Sequence, residues 1–397
     1  MQISQKAAAV KESSTLAISA KAKAMKAQGI NIIGFGVGEP DFPTPAHINQ
    51  AAIDAIQNGM TKYTASSGIL ELRKAICDKL ARDNGLSYDP AQIVVSNGAK
   101  HSLTNIFSAI LNPGDEVLIP APFWLSYSEM VSIAGGTPVI VTTSTETGLK
   151  ATASMLRAAL TPNTKAIVLN SPSNPTGMVY GREELEAIAQ FAVENNLYVI
   201  SDEIYEKLIY DDNRQHISIA SLGDDIFRRT IVVNGLSKSH AMTGWRIGYT
   251  ASTLDLAKVM GNLQSHGTSN PNSIAQYAAL AALEGDQTCV EDMRLEFKHR
   301  RDYIYDRIAN IPGLSILRPE GAFYAFANVS ALYGKQANGQ TLETAADVAA
   351  CLLEQAHIAV VPCADFGCPD HIRLSYAISM DEIKEGIDRL EQFVTSL

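Results

Sequence analysis

Apolar residues along this chain fall into two rhythms. Short unbroken runs recur: Glu116-Val117-Leu118-Ile119, Thr137-Pro138-Val139-Ile140-Val141, Ala166-Ile167-Val168-Leu169, Leu197-Tyr198-Val199-Ile200 and Ile231-Val232-Val233-Asn234. Runs of this length suit strands buried on both faces of a sheet. Between them the spacing turns helical. Leu103, Ile106, Phe107, Ile110 and Leu111 share one face over 98–111, and a helix over 182–195 separates the third and fourth runs. This alternation holds from about residue 45 to 285 and predicts a mainly parallel sheet covered by helices.

Beyond about residue 285 the pattern changes. A long charged helix is predicted over 288–310, stopped by Pro312-Gly313. Short strands are predicted at 314–317, 322–326, 359–361 and 372–376. A last helix carries Ile383, Ile387, Leu390, Phe393 and Val394 on one face. That part reads as α+β. With 397 residues the chain is too long for one simple core, so two domains are expected.

Composition narrows the class. Hydrophobic residues make up 46% and charged residues 19%, as in a soluble globular protein, and no run reaches the length of a membrane span. The first 26 residues mix Ala, Lys and Ser without the continuous apolar stretch of a signal peptide, so the cytoplasm is the expected location. A formal net charge of -10 argues against a nucleic-acid surface. The five cysteines are scattered and read as reduced thiols. Cys363 and Cys368 match no zinc spacing, and His101, His240 and His266 are isolated, so no metal site is expected.

Candidate chemistry centres on Lys238. The surrounding sequence reads as a strand (231–234), a turn (235–238) and a second strand (242–249). Ser237 precedes the lysine and Arg246 follows it. A lysine in a turn is most often a solvated charge. A crowded, desolvated one is a neutral amine nucleophile, suited to an imine with an aldehyde cofactor. Ser237 and Arg246 would then hold a phosphate on that cofactor. Two more polar stretches follow apolar runs: Pro172-Ser173-Asn174-Pro175-Thr176-Gly177 and Ser201-Asp202-Glu203-Ile204-Tyr205. Strand ends at one edge of an open α/β sheet are where such folds bind ligands. Gly34, Gly36 and Gly38 imitate a dinucleotide fingerprint, but Glu39 and Pro40 break its spacing.

Taken in order, Gly38-Glu39-Pro40-Asp41-Phe42, Lys62-Tyr63, Asn174-Pro175-Thr176-Gly177, Ser201-Asp202-Glu203-Ile204-Tyr205, Gly235-Leu236-Ser237-Lys238 and Arg373-Leu374-Ser375-Tyr376 resemble the fold-type I pyridoxal-phosphate enzymes. Within these the chain is similar to class I/II aminotransferases of the prokaryotic aspartate subgroup, from about Ala17 to the C-terminus. The resemblance implies an α/β fold with a mainly parallel seven-stranded sheet in a large domain, residues 46–285. It adds the N-terminal arm to the smaller α+β domain, residues 1–45 plus 286–397. It also implies a homodimer with shared sites, acting on small amino and oxo acids by a ping-pong route.

The roles carried over are specific. Lys238 holds pyridoxal 5'-phosphate as an imine and moves the proton. Asp202 faces the pyridine nitrogen, and Tyr205 and Asn174 face the phenolic oxygen. Trp124 stacks on the ring. Gly98, Ala99, Lys100, Ser237 and Arg246 cradle the phosphate, joined by Tyr63 of the neighbouring subunit. Many relatives carry serine where Gly235 stands, which removes one hydroxyl donor here. Arg373, assisted by Gly38 and Asn174, clamps the substrate α-carboxylate, and Trp124 borders the substrate. There is no arginine between Arg246 and Arg294 to read a distal carboxylate. That role falls to the N-terminal segment, Lys11, Ser14 and Thr15.

Aspartate with 2-oxoglutarate is the leading substrate pair. Aromatic amino acids, alanine and prephenate stay open, because one scaffold serves all of them. So does a C–S lyase using the same Asp202, Tyr205 and Lys238. A non-catalytic regulatory module needs an added DNA-binding domain, for which no room is expected before Ala17.

Overall fold

The computed structural model describes residues 3–4, 8, 10 and 14–397, with side chains in the first helix from Ala17 onward. Seven strands form the main sheet: β1 (Ile93–Ser96), β2 (Glu116–Pro120), β3 (Thr137–Val141), β4 (Thr164–Asn170), β5 (Tyr198–Asp202), β6 (Thr230–Gly235) and β7 (Gly248–Ala251). Their spatial order is β1-β7-β6-β5-β4-β2-β3. All pairings from β6 to β3 are parallel, and β7 runs antiparallel to both β6 and β1. Ile231, Val232 and Val233 are fully buried, because helices cover both faces of the sheet. This is the α/β, mainly parallel arrangement that the apolar runs predict, with the seven strands that the resemblance implies.

One strand is shorter than its sequence suggests. The segment 242–247 is not extended: Thr243–Trp245 form a 3-10 turn, and Arg246 sits at φ 59°. A left-handed residue cannot continue a ladder, so β7 begins only at Gly248.

A second, antiparallel sheet has the order β10-β11-β9-β8, where β8 is Ser315–Ile316, β9 Tyr324–Asn328, β10 Val361–Pro362 and β11 His371–Ser375. The helices Thr288–Ala309 and Met380–Ser396 pack with it. Ile383, Ile387, Leu390, Phe393 and Val394 enter its core together with Ile304, Ile308 and Ile372. Ile33–Gly34 pairs with Ile358–Ala359 in parallel, so this early segment is tied to the C-terminal third of the chain. Ile204, Tyr205 and Leu208, just past β5, belong to the same core. The two sheets therefore meet at the carboxyl end of β5.

Candidate active site

Because β4, β5 and β6 are parallel neighbours, their carboxyl ends open together. A cleft of about 350 Å³ lies there. Asn170 and Asn174 enter it from β4 and its loop, Asp202 and Tyr205 from β5, and Ser237 and Lys238 from the turn after β6. Ala99, Lys100 and Trp124 line one wall, and Gly38, Arg246, Tyr324 and Arg373 also border it.

Lys238 Nζ donates to the Gly38 carbonyl over 2.7 Å. Burial lowers its ammonium pKa to about 8. Glu39 works against that shift, and Arg246 and Arg373 work with it. Asp202 is 3% exposed. One carboxylate oxygen accepts from the Tyr127 hydroxyl at 2.6 Å, the other from the Ile204 amide at 3.2 Å. Burial raises its pKa to about 6, and these two hydrogen bonds restrain the rise. An amine near neutrality thus shares one cleft with a carboxylate close to its own titration.

The opposite end of the cleft is cationic. Gly98, at φ 85°, caps the helix Ala99–Ile110. The Arg246 guanidinium lies against that glycine: a Cβ there would fall 2.6 Å from Nη2. Arg246 donates to the Thr243 carbonyl at 2.9 Å. Among the described residues no carboxylate pairs with it. Burial and Arg246 both lower the pKa of Lys100, whose ammonium lies 4.8 Å from the centre of the Trp124 ring. A helix N-terminus, an arginine and a lysine converging on empty space favour an anion. Gly235, by contrast, has no room for a side chain. A Cβ there would sit 2.8 Å from the Ile247 carbonyl, so a serine would require this backbone to move.

Arg373, on β11, is 2% exposed. It donates to Asn174 Oδ1 at 2.8 Å and to the Gly36 carbonyl at 3.0 Å, and lies 4.5 Å from the Tyr324 ring centre. Its Nε has no hydrogen-bond partner among the described residues. Its partners among the described residues are all neutral, so this buried cation has unsatisfied demand for a carboxylate.

The cleft thus gathers Gly38, Ala99, Lys100, Trp124, Asn174, Asp202, Tyr205, Ser237, Lys238, Arg246 and Arg373, with Gly98 behind Arg246. Two further placements stand out. The Gly38 carbonyl is engaged by Lys238, and the nearby backbone acceptor for Arg373 is Gly36. Tyr63 is 90% exposed and is not among the residues lining the cleft of its own chain. Lys11 lies outside the described residues. Ser14 and Thr15 begin the helix Ser14–Ala27, with their side chains outside the description.

Sequence reasoning missed Tyr127 and Tyr324. Tyr324 shares a hydroxyl contact of 2.8 Å with Tyr205. The position of Tyr127, one helical turn after Trp124, was the available signal. It also missed a buried cluster beneath the cleft, in which ligand atoms of Glu203, Glu206 and His216 lie within 4.8 Å of one another. Such a set can hold a metal. Here Glu206 is already paired with Lys79 and accepts from Asn84 at 2.8 Å. Glu203 accepts from Ser201 at 2.9 Å and Ser218 at 2.6 Å, and its other oxygen lies 3.1 Å from His216 Nε2. An ammonium in the cluster makes it an ion-pair network.

Comparison with known proteins decides the family. The model for aminotransferases of class I and II matches residues 30–390. The chain belongs to the class I and II aminotransferases. An aspartate aminotransferase of Bacillus sp. (strain YM-2) is 51% identical over 382 residues, 96% of each chain. An aspartate/prephenate aminotransferase of Nitrosomonas europaea is 45% identical and covered end to end, as is this chain. The solved aspartate aminotransferase of Rhizobium meliloti superposes with a TM-score of 0.96 at 42% identity, covering 100% of this chain and 99% of that one. This aminotransferase therefore has the type I fold and uses pyridoxal phosphate bound to a lysine.

The cleft fits that group. It has an amine whose burial favours the neutral form, a buried carboxylate, and a cationic corner where Gly98 leaves space for Arg246. Among the described residues of this aminotransferase no helix is long and apolar enough to cross a membrane.

Proposed function

We propose that this aminotransferase moves the amino group of aspartate to 2-oxoglutarate by a ping-pong route, as a cytoplasmic homodimer with active sites at the subunit interface. The observation that carries the reading is Arg373, a buried cation with only neutral partners, facing the same cleft as Lys238.

Lys238 is the covalent anchor, and Asp202 faces the pyridine nitrogen. Tyr205 and Asn174 face the phenolic oxygen, and Trp124 lies on the ring face. Gly98, Ala99, Lys100, Ser237 and Arg246 hold the phosphate, with Tyr63 reaching it from the other subunit. When bound, pyridoxal phosphate supplies an electron sink for the carbanion formed at the substrate Cα. Arg373 holds the α-carboxylate and so fixes which Cα bond faces Lys238. Once the incoming amino group has displaced it, the Lys238 amine would take the Cα proton and deliver it to the cofactor carbon on the far side of the substrate nitrogen, as base and then acid. Its pKa of about 8 suits both directions near neutral pH. Asp202, ionised above about pH 6, stabilises positive charge opposite it.

We assign residues 46–285 to a large domain and 1–45 plus 286–397 to a small one, which closes over the site and brings Arg373 onto the substrate. Exposed Ile53, Ile56, Met60, Tyr63 and Leu70 support the dimer, since apolar side chains gathered near one segment favour a partner surface. The names of the relatives support aspartate, and that of the Nitrosomonas protein supports prephenate as a second substrate.

A steady-state screen of amino donors against 2-oxoglutarate, with ammonia measured alongside, tests the function. Turnover of aspartate without ammonia is expected, and ammonia release without an oxo-acid acceptor would mark a lyase. Lys11→Ala should raise KM for aspartate far more than for alanine or phenylalanine, which lack a distal carboxylate. A lost charge-assisted contact corresponds to about 1–2 kcal/mol.

A further inference from the structure

Tyr127 has no role in the chemistry above, yet it touches two of its parts. It is the second residue of the helix Ser126–Ile133, and its amide donates to the Trp124 carbonyl at 3.0 Å. Its ring is 1% exposed and stands edge-on to Trp124, 5.4 Å between centres and 89° between planes. Its hydroxyl donates to Asp202 over 2.6 Å, across 75 positions of sequence. Burial, then the Asp202 charge, holds the phenol pKa well above its ordinary value, so it stays a donor throughout the working pH range.

Four titratable groups face Asp202: Tyr127 from its helix, Glu203 and Tyr205 from the end of β5, and Lys238 from the turn after β6. Of these only Tyr127 hydrogen-bonds the carboxylate. Among the described residues the one other donor is the Ile204 amide. The two donors take one lone pair on each oxygen and leave the remaining pairs to the cleft.

We propose that Tyr127 is a positioning residue that keeps Asp202 ionised and aims its free lone pairs into the cleft. This rests on the reading of Asp202 as the partner of the cofactor's ring nitrogen. A phenol serves better than an imidazole here because it does not change protonation between pH 5 and 9.

The test compares wild type with Tyr127→Phe, which keeps the ring and removes the donor. In the cofactor-free protein, infrared titration of 13C-aspartate, with Asp202→Asn identifying the band, reads the Asp202 midpoint directly. A rise of about one unit is expected, as for one lost hydrogen bond to a charged group. In the loaded enzyme the acid limb of kcat should move up in pH, with kcat down about tenfold and KM for the amino donor within about twofold. Replacing Tyr127 by the more acidic 3-fluorotyrosine should shift the midpoint the other way. That decides the matter if Tyr127→Phe does not fold. An unchanged midpoint in either folded variant overturns the proposal. A fully active Asp202→Asn enzyme would remove the underlying reading of Asp202 instead, whatever the titration shows.

Discussion

Lys238 Nζ and the Gly38 carbonyl are 2.7 Å apart, although 200 positions separate them in sequence. This hydrogen bond is the one polar contact of the ammonium among the described residues, and it joins the turn after β6 to the segment that follows Ile33 and Phe35 of the second core. One amide dipole is weak compensation for a charge taken out of water.

Lys238→Ala should abolish turnover, and should also stabilise the cofactor-free protein at pH 7. The lysine's folded pKa of about 8 lies below its ordinary 10.5. Below pH 8 the charge is carried at a cost, and between about pH 8 and 10.5 the unfolded chain binds more protons, so wild-type stability rises through that window. Thermal unfolding against pH should show the wild type catching up with the variant as pH approaches 10.5. Parallel curves would mean that the amine is not desolvated.

Gly98→Ala should weaken cofactor binding at least about tenfold. The residue is at φ 85°, and the added methyl would fall 2.6 Å from Arg246 Nη2. The guanidinium must retreat, which costs a charge-assisted hydrogen bond of about 1.5–3 kcal/mol. Equilibrium titration of the cofactor-free protein with pyridoxal phosphate measures this, and wild-type affinity would show that Arg246 does not face the phosphate.

Arg373→Lys should lower kcat/KM by about 100-fold for every amino acid substrate alike, because all carry the α-carboxylate. A lysine keeps the charge and loses the planar fork. A loss confined to dicarboxylic substrates would reassign Arg373 to the distal group.

A Lys238→Ala subunit and a Tyr63 variant, each inactive alone, should regain activity when mixed under subunit exchange. Random pairing yields hybrids with one intact site. Exchange proved by mass-tagged subunits, with no activity regained, would confine Tyr63 to its own chain.

Lys79→Met should destabilise the fold by about 3–5 kcal/mol, the usual cost of leaving a buried partner charge alone. Burial acts to raise the Glu206 pKa, yet Lys79, His216 and Asn84 hold it down at about 2. The stabilisation is therefore complete above about pH 4.5 and fades as pH falls toward 2. Urea unfolding at pH 7 checks the size. Pairing Lys79→Met with Glu206→Gln should recover much of the loss.

The sheet was legible because strands covered on both faces must be apolar throughout, as Ile231, Val232 and Val233 are. The turn after β6 was less so. Met242 and Ile247 are buried, which imitates a strand, and nothing local announces the left-handed Arg246. Lys238, Asp202 and Arg373 stood out through the short motifs around them. Tyr127, Tyr324 and Lys79 did not, because each acquires its partner only when distant segments meet: Tyr127 with Asp202, Tyr324 with Tyr205, Lys79 with Glu206. Glu203 and Glu206 were hidden for another reason. They share a stretch with Asp202 and Tyr205 but point away from the cleft, into the ion-pair network.

Arg373 rests on neutral partners alone, and this reaches beyond substrate choice. A guanidinium with an unused Nε will accept whatever small oxyanion the solution offers. Acetate, sulfate or phosphate buffers should act as competitive inhibitors of the amino donor, and kinetic constants for this enzyme will depend on the anion used as well as on ionic strength. Assays in a bulky zwitterionic buffer, with chloride held fixed, give the comparison from which the intrinsic constants can be extracted.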